Sequence, residues 1–304
     1  MKKKIYILTS NFTVKKNKIK KIFNKKKFTI IRACKGSKYS ELEIVKKFRD
    51  AYGIIAGTEK YSKFVLNSLK ELKFISRCGV GVDNIDLEEL KKKKIKLITT
   101  TNSHVKIVAE HAIAGLFSML KKIIYFNSLI KRKVWKKNFV DTIYDKKIGF
   151  YGYGKVAKQI KKNLDSFKPD FYCYDIKKKI AKSKIKKVLS LKKLFNKVDI
   201  LFICASLTNN SLSLNYKILK DIKKNILIVN VSRGELINDN DLIKFLKKNT
   251  QSYYFSDVFT KEPYNGPLLK LKNAFFTPHI STYEYSFRLK MEIESLKNLA
   301  KIIK

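Results

Sequence analysis

Acidic residues are scarce in this chain: 25 Asp and Glu stand against 68 Lys and Arg, a formal net charge of +43. An excess of this size ordinarily points to nucleic acid or an anionic membrane. Arginine, however, is nearly absent, with Arg32, Arg49, Arg77, Arg132, Arg233 and Arg288 the only examples. Readers of phosphates and bases favour arginine for its planar, bidentate fork. The lysines are spread evenly among Ile and Asn, which reads as a compositional bias rather than a binding groove, and no basic-aromatic motif appears. No specific nucleic-acid partner is expected.

Cysteine is also sparse. Cys34, Cys78, Cys173 and Cys204 show no paired spacing, which excludes a zinc-finger pattern and a disulfide framework and fits a reducing cytoplasm. No metal site is expected. Long apolar runs are missing: Lys106, Glu110 and His111 interrupt the richest stretch, so nothing approaches the roughly 20 residues of a membrane span. The run Ile5 to Leu8 behind Met1-Lys-Lys-Lys4 is too short for the core of a signal peptide. Four prolines, Pro169, Pro263, Pro267 and Pro278, mark turns in the second half, and no repeat of short period is present.

What remains is an ordinary globular composition, 45% hydrophobic over 304 residues, enough for two modest cores. Short β-branched and aromatic runs alternate with lysine-rich amphipathic stretches, the pattern of strands joined through helices into parallel sheets. The fold class is therefore α/β. Lys4 to Thr9, Phe28 to Arg32, Ala51 to Ala56, Phe74 to Cys78 and Ile95 to Thr99 are the strands of a first unit. A long helix is predicted over Val105 to Ile124, with Ala109, Ala114, Gly115 and Ser118 leaving its other faces small enough for a second covering surface. Six further strands follow, Lys147 to Tyr151, Phe171 to Tyr174, Asp199 to Cys204, Ile226 to Val231, Tyr253 to Val258 and Ala274 to Thr277, which suits a doubly wound dinucleotide fold. Glu284 to Ile303 reads as a closing helix.

The strand Lys147 to Tyr151 runs into Gly152-Tyr153-Gly154-Lys155-Val156-Ala157 and then a helix, the setting a phosphate-binding glycine turn requires. Gly152 permits the tight turn, Gly154 the approach of a pyrophosphate, and Ala157 close packing of helix on strand. The phosphates would rest on N–H groups at the positive end of that helix. Asp175 ends the next strand, where a carboxylate accepts from ribose hydroxyls and repels a 2′-phosphate, so NAD is expected over NADP. Lys177, Lys178 and Lys179, next in line, work in the opposite direction.

Three reactive side chains lie downstream. His279, in Thr277-Pro-His-Ile280, is a candidate proton acceptor, and Glu262 is a carboxylate able to fix its tautomer and favour its imidazolium. Arg233 follows a strand and precedes Gly234, which puts a fork of donors at the carboxyl end of a parallel sheet, where ligands bind. A cation, a carboxylate and an imidazole beside a dinucleotide are what reversible oxidation of a 2-hydroxy acid requires.

Together these segments resemble the D-isomer-specific 2-hydroxyacid dehydrogenases, most closely their phosphoglycerate dehydrogenase branch, over most of the chain. Arg77-Cys-Gly-Val-Gly-Val-Asp-Asn-Ile-Asp86 is similar to the substrate-loop signature, Ser103 with Val108-Ala-Glu110 to the start of the helix opening the nucleotide domain, and Trp135 to a family tryptophan. The resemblance implies a flavodoxin-like substrate domain of residues 1–100 and 281–304 and a Rossmann-type NAD domain of residues 101–280. It implies that N–H groups of Val80 and Gly81 share the substrate carboxylate with Arg233, and that Glu262 and His279 form the acid–base pair. Asp257 would lie near the nicotinamide amide, and a homodimer would join through the long helix. Two departures stand out. Cys204-Ala-Ser-Leu-Thr208 replaces a family His-x-Pro-Leu-Thr run in the cofactor loop, and Ser281 and Thr282 replace the glycines after the histidine.

The expected activity is an NAD-dependent dehydrogenase of a small D-2-hydroxy acid, with 3-phosphoglycerate first among substrates. Glyoxylate, hydroxypyruvate or a sugar-derived hydroxy acid are the alternatives, and an NADH-sensing binding protein on the same fold is the alternative of another class.

Overall fold

The structure is a computed structural model that describes residues 2–23, 28–101, 104–176, 185–208, 211–220, 222 and 225–303. Ser103 and Lys177, Lys178 and Lys179, singled out in the sequence, lie outside the described residues. The chain divides into two compact units, one of Met1–His104 with Tyr283–Lys304 and one of Val105–Thr282.

In the first unit, strands β1 (Lys3–Ile7), β2 (Phe28–Arg32), β3 (Ala51–Ala56), β4 (Phe74–Arg77) and β5 (Lys96–Thr99) form an all-parallel sheet in the order β2-β1-β3-β4-β5. Helices α1 (Lys16–Phe23), α2 (Glu41–Lys47), α3 (Lys63–Ser68) and α4 (Leu87–Lys92) make the crossovers. This is the flavodoxin-like strand order. The start of α2 is written locally: Ser40 and Glu43 close a reciprocal capping box, an arrangement that stabilises by about 1 kcal/mol.

The second unit holds β6 (Lys147–Tyr151), β7 (Asp170–Tyr174), β8 (Lys186–Lys187), β9 (Ile200–Ile203), β10 (Leu227–Asn230), β11 (Tyr253–Ser256) and β12 (Ala274–Phe276), again all parallel, in the order β12-β11-β10-β9-β6-β7-β8. Its helices are α5 (Val105–Leu120), α6 (Ile123–Lys131), α7 (Lys155–Leu164), α8 (Leu191–Phe195), α9 (Tyr216–Leu219) and α10 (Asp239–Lys248). Strand order reverses at β6, the switch point of a doubly wound Rossmann sheet. The strands are apolar on both faces and their alternation sorts residues between two cores. Ile148, Phe150, Ile200 and Phe202 face α5 and α7, whereas Tyr151, Leu201, Ile203 and Tyr254 pack in the core with residues of α8 and α10. Burying each such side chain stabilises by roughly 1.5–3 kcal/mol.

Three sequence expectations need correction. The long helix does not reach Ile124. It ends at Leu120, whose carbonyl accepts from Asp141 N–H, and Lys122 turns left-handed (φ 50°) before α6 begins. Apolar spacing continues through the break because α6 has its own apolar side chains. Gly115 does not serve an outer face either, since a Cβ there would lie 2.3 Å from the Phe255 ring of the same unit. The seventh strand, β8, escaped sequence reading because two lysines carry no periodicity.

The closing helix α11 (Tyr285–Ile302) belongs to the first unit and packs on β3, β4, β5 and α1. Glu292, fully buried on α11, accepts from Thr13 N–H at 2.6 Å, Thr13 Oγ1 at 2.7 Å and Arg288 Nε at 2.8 Å. One carboxylate thus ties the helix to the segment after β1. No helix among the described residues is long and apolar enough to cross a membrane.

Candidate active site

The glycine turn leaves the carboxyl end of β6 at the switch point. Gly152 has φ +83°, and a Cβ there would lie 2.5 Å from the backbone of Ala205, so side chains are excluded by both conformation and space. Gly154 differs: it is the N-cap of α7, has ordinary dihedrals, makes no side-chain cap, and nothing lies within 4 Å of a Cβ built on it. The turn therefore presents open space at the positive end of a ten-residue helix. Lys155, Val156 and Ala157 form its first turn, and Ala157 is fully buried. Tyr153 N–H donates to Asp175 Oδ2 at 2.7 Å, which fixes the acid at the end of β7 beside the turn. A pyrophosphate cradle with a carboxylate next to it is the set of groups a dinucleotide requires, so these residues fit one. Cys204 follows β9 beside Gly152; desolvation pushes its thiol up to about 12, so it stays protonated at neutral pH.

His279 and Glu262 come together. Nδ1 of His279 lies 2.9 Å from Oε1 and 3.0 Å from Oε2 of Glu262, and Glu262 Oε1 also accepts from Phe259 N–H at 3.3 Å. The imidazole is partly exposed, 34% against 19% for the carboxylate. It can therefore exchange protons with a small molecule while its other nitrogen side is held. His279 itself has φ +55°, a left-handed conformation uncommon outside glycine and characteristic of functional loops.

Arg233 leaves β10 on a neighbouring loop. Its shape is set by Asn230, fully buried, whose Nδ2 donates to Arg233 O at 2.9 Å and whose Oδ1 accepts from Ser232 N–H at 3.1 Å. At Gly234 a Cβ would lie 2.1 Å from Phe259 C and 2.2 Å from Thr260 N. The loop bearing Arg233 thus rests backbone on backbone against the loop bearing Glu262. Asn230 passed unnoticed in the sequence, although an Asn inside an apolar strand was the available signal.

Asp257 is fully buried and takes its donors from its own unit. Thr277 Oγ1 donates to Oδ1 at 2.6 Å, Ile280 N–H to Oδ1 at 2.8 Å, and Ser281 N–H to Oδ2 at 2.9 Å. Burial pushes its carboxyl up, but hydrogen bonds from His111, Thr277 and the two backbone N–H groups outweigh burial and hold it below the usual aspartate value. Ser281, where the resemblance would have a glycine, is held through its backbone N–H.

In the first unit, the segment after β4 carries Val80 and Gly81. Arg77, only 8% exposed, folds its guanidinium under this loop and donates from Nε to Gly81 O at 3.1 Å and from Nη1 to Cys78 O at 2.5 Å. The loop's carbonyls are drawn inward by these bonds. Gly79, at φ +146°, holds a backbone conformation that a side chain would strain, and a Cβ there would lie 2.7 Å from Arg77 Nη1.

A sequence model described as the D-isomer specific 2-hydroxyacid dehydrogenase, NAD binding domain, matches residues 113–281. The chain is 28% identical over 270 residues to a glyoxylate reductase of Pyrococcus horikoshii, covering 84% of this chain and 81% of that protein. It is 31% identical over 246 residues to a D-3-phosphoglycerate dehydrogenase of Methanocaldococcus jannaschii, covering 78% of this chain but 47% of that longer protein. In fold it is similar to the TT0316 protein of Thermus thermophilus, with a TM-score of 0.88, 22% identity and coverage of 99% and 96% of the two chains. The chain belongs to the D-isomer specific 2-hydroxyacid dehydrogenases, an oxidoreductase family, and its cofactor is NAD.

Proposed function

We propose that the protein interconverts a short D-2-hydroxy acid and its 2-oxo acid, with His279 as the proton-transferring base. The observation carrying this reading is the pair of contacts between His279 Nδ1 and both oxygens of Glu262. An N–H on Nδ1 facing that carboxylate leaves the lone pair on Nε2. Nε2 then takes the substrate hydroxyl proton during oxidation and returns it during reduction. Glu262 favours the imidazolium formed between these events. The half-buried Arg233 clamps the substrate carboxylate and so orients C2. N–H groups of Val80 and Gly81 are proposed as donors to a substrate carboxylate. Gly152, Tyr153, Gly154 and the first turn of α7 hold the dinucleotide phosphates, Asp175 the ribose, and Cys204 borders that path. When bound, the nicotinamide accepts or gives the hydride.

Among substrates, 3-phosphoglycerate calls for a cation at the far end of the molecule. Arg77, only 8% exposed, turns inward to Cys78 and Gly81. We therefore rank unphosphorylated acids, glyoxylate and hydroxypyruvate, ahead of 3-phosphoglycerate. The glyoxylate reductase match over 81% of the relative's length supports the same order. A panel of 2-oxo and 2-hydroxy acids followed by NADH absorbance tests it. Preferential oxidation of 3-phosphoglycerate reverses the ranking. Tight NADH binding without turnover of any acid removes the enzymatic reading and leaves an NADH-sensing protein.

We further propose a homodimer in the cytoplasm. Ile123 and Ile130 of α6 are each 53% exposed, Trp135 83% and Phe139 97%, apolar side chains that a second copy of the chain would cover. Trp135 is the only tryptophan, so its emission reports burial. Sedimentation at twice the 35.5 kDa of the chain, and a monomer with red-shifted emission in Phe139→Glu, are expected. A parent that sediments as a monomer removes the proposal.

A further inference from the structure

The second unit contains another imidazole–carboxylate contact that the proposed chemistry does not use. His111 sits on α5, its side chain 20% exposed, with Nε2 3.0 Å from Thr277 Oγ1 and 3.5 Å from Asp257 Oδ1. The Thr277 hydroxyl has one proton, and it donates that proton to Asp257 at 2.6 Å. The hydroxyl oxygen can only accept from His111, so the ring carries its N–H on Nε2. Phe255, with its centroid 5.6 Å away, bounds the imidazole on the sheet side.

The far end of this network is the backbone on either side of His279. Thr277 lies two residues before it; Ile280 and Ser281, whose N–H groups bind the two oxygens of Asp257, lie one and two residues after it. Between these points His279 is held at φ +55°. A left-handed non-glycine residue persists only where its surroundings over-determine it, at a cost of about 1–3 kcal/mol. Asp257 is the group that over-determines it, and His111 fixes the Asp257–Thr277 pair from a helix packed across β10 and β11.

We propose that His111 is a positioning residue for His279, acting through Thr277 and Asp257 on the loop that aims the imidazole at Glu262. The inference rests on His279 being the proton-transferring group. It adds a role to a residue that the sequence presents only as a polar interruption of an apolar helix.

His111→Phe keeps a ring against Phe255 and deletes the N–H, while His111→Gln keeps an N–H donor. His111→Phe is expected to lower kcat about tenfold, since small misplacements of reacting groups cost this much or more. The KM of the 2-oxo acid and the Kd of NADH should stay within about twofold, and His111→Gln should recover most of the loss. The chain has three histidines, so the long-range 15N spectrum of its imidazoles is readily assigned. The Nδ1 signal of His279 should move in His111→Phe and return in His111→Gln, whether or not any acid turns over. A parent inactive on every acid would overturn the proposed reaction and leave this spectral expectation standing. Parental kcat with an unmoved His279 signal in His111→Phe overturns the positioning role. So does a parallel loss of kcat, NADH affinity and thermal stability, which would mark a purely structural residue.

Discussion

Both carboxylate oxygens of Glu262 lie within 3.0 Å of a single nitrogen of His279, so the imidazole is held by one edge and free along the other. Such a pairing serves proton transfer: removing the imidazole removes the base, and removing the charge of its partner leaves a base whose tautomer and orientation are no longer fixed. His279→Ala should lower kcat/KM by about a hundredfold or more, and Glu262→Gln by about tenfold to a hundredfold. NADH binding, measured by fluorescence titration, should be nearly parental in both. A His279→Ala enzyme as fast as its parent would refute the assignment.

The two glycines of the cofactor turn should respond differently to the same change. In Gly152→Ala the new Cβ meets the Ala205 backbone and the residue is forced to a positive φ, so melting temperature and NADH affinity fall together. In Gly154→Ala the Cβ enters open space, so the melting temperature stays within a few degrees while NADH binds about tenfold or more weakly. Unchanged affinity in Gly154→Ala would show that the open space is not where the phosphates lie.

Asp257 links stability to pH with a definite sign. Its folded-state pKa is depressed, so its contribution is full above the unfolded value of roughly 3.9 and is lost as pH falls through the folded value. Asp257→Asn should therefore be less stable than the parent by about 2 kcal/mol near neutral pH, the scale of a buried charged hydrogen bond. The gap in thermal midpoint should narrow as pH drops below about 4. A gap constant down to strongly acid pH would mean that the ionised carboxylate is not the stabilising species.

Glu292 offers a comparable test in the first unit. Glu292 is fully buried with bonds to Thr13 and Arg288, and removing one partner of such a group leaves the other unsatisfied. Glu292→Ala should destabilise that unit by about 3–5 kcal/mol. Hydrogen exchange should rise first in α11 and the segment after β1. Exchange that rises elsewhere first would place the weak point outside this contact.

Sequence and structure divide the credit for the site along a physical line. Whatever is carried by local periodicity or by one short segment was legible beforehand. The strands β1 to β7 and β9 to β12 announce themselves by apolar runs, the turn Gly152 to Ala157 by glycines between strand and helix, and Asp175 by its place after the next strand. Arg233, Glu262 and His279 could be singled out by residue type, because few side chains can clamp a carboxylate or move a proton near neutral pH.

What depends on contacts between distant segments was not. The resemblance implied only that Asp257 lies near the nicotinamide amide, and it is folding that brings Thr277, Ile280 and Ser281 to it and makes it an anchor of the His279 loop. Arg77 read only as the start of the segment similar to a substrate loop, and the folded loop turns it onto Cys78 and Gly81. The helix that reads through Lys122 stops at Leu120, whose carbonyl accepts from the N–H of Asp141, far along the chain. Residue types and their period determined which elements and which reactive groups exist here. The partner of each buried donor and acceptor was decided by tertiary structure, because a hydrogen bond is satisfied by whatever the fold brings within about 3 Å and not by its neighbours in sequence.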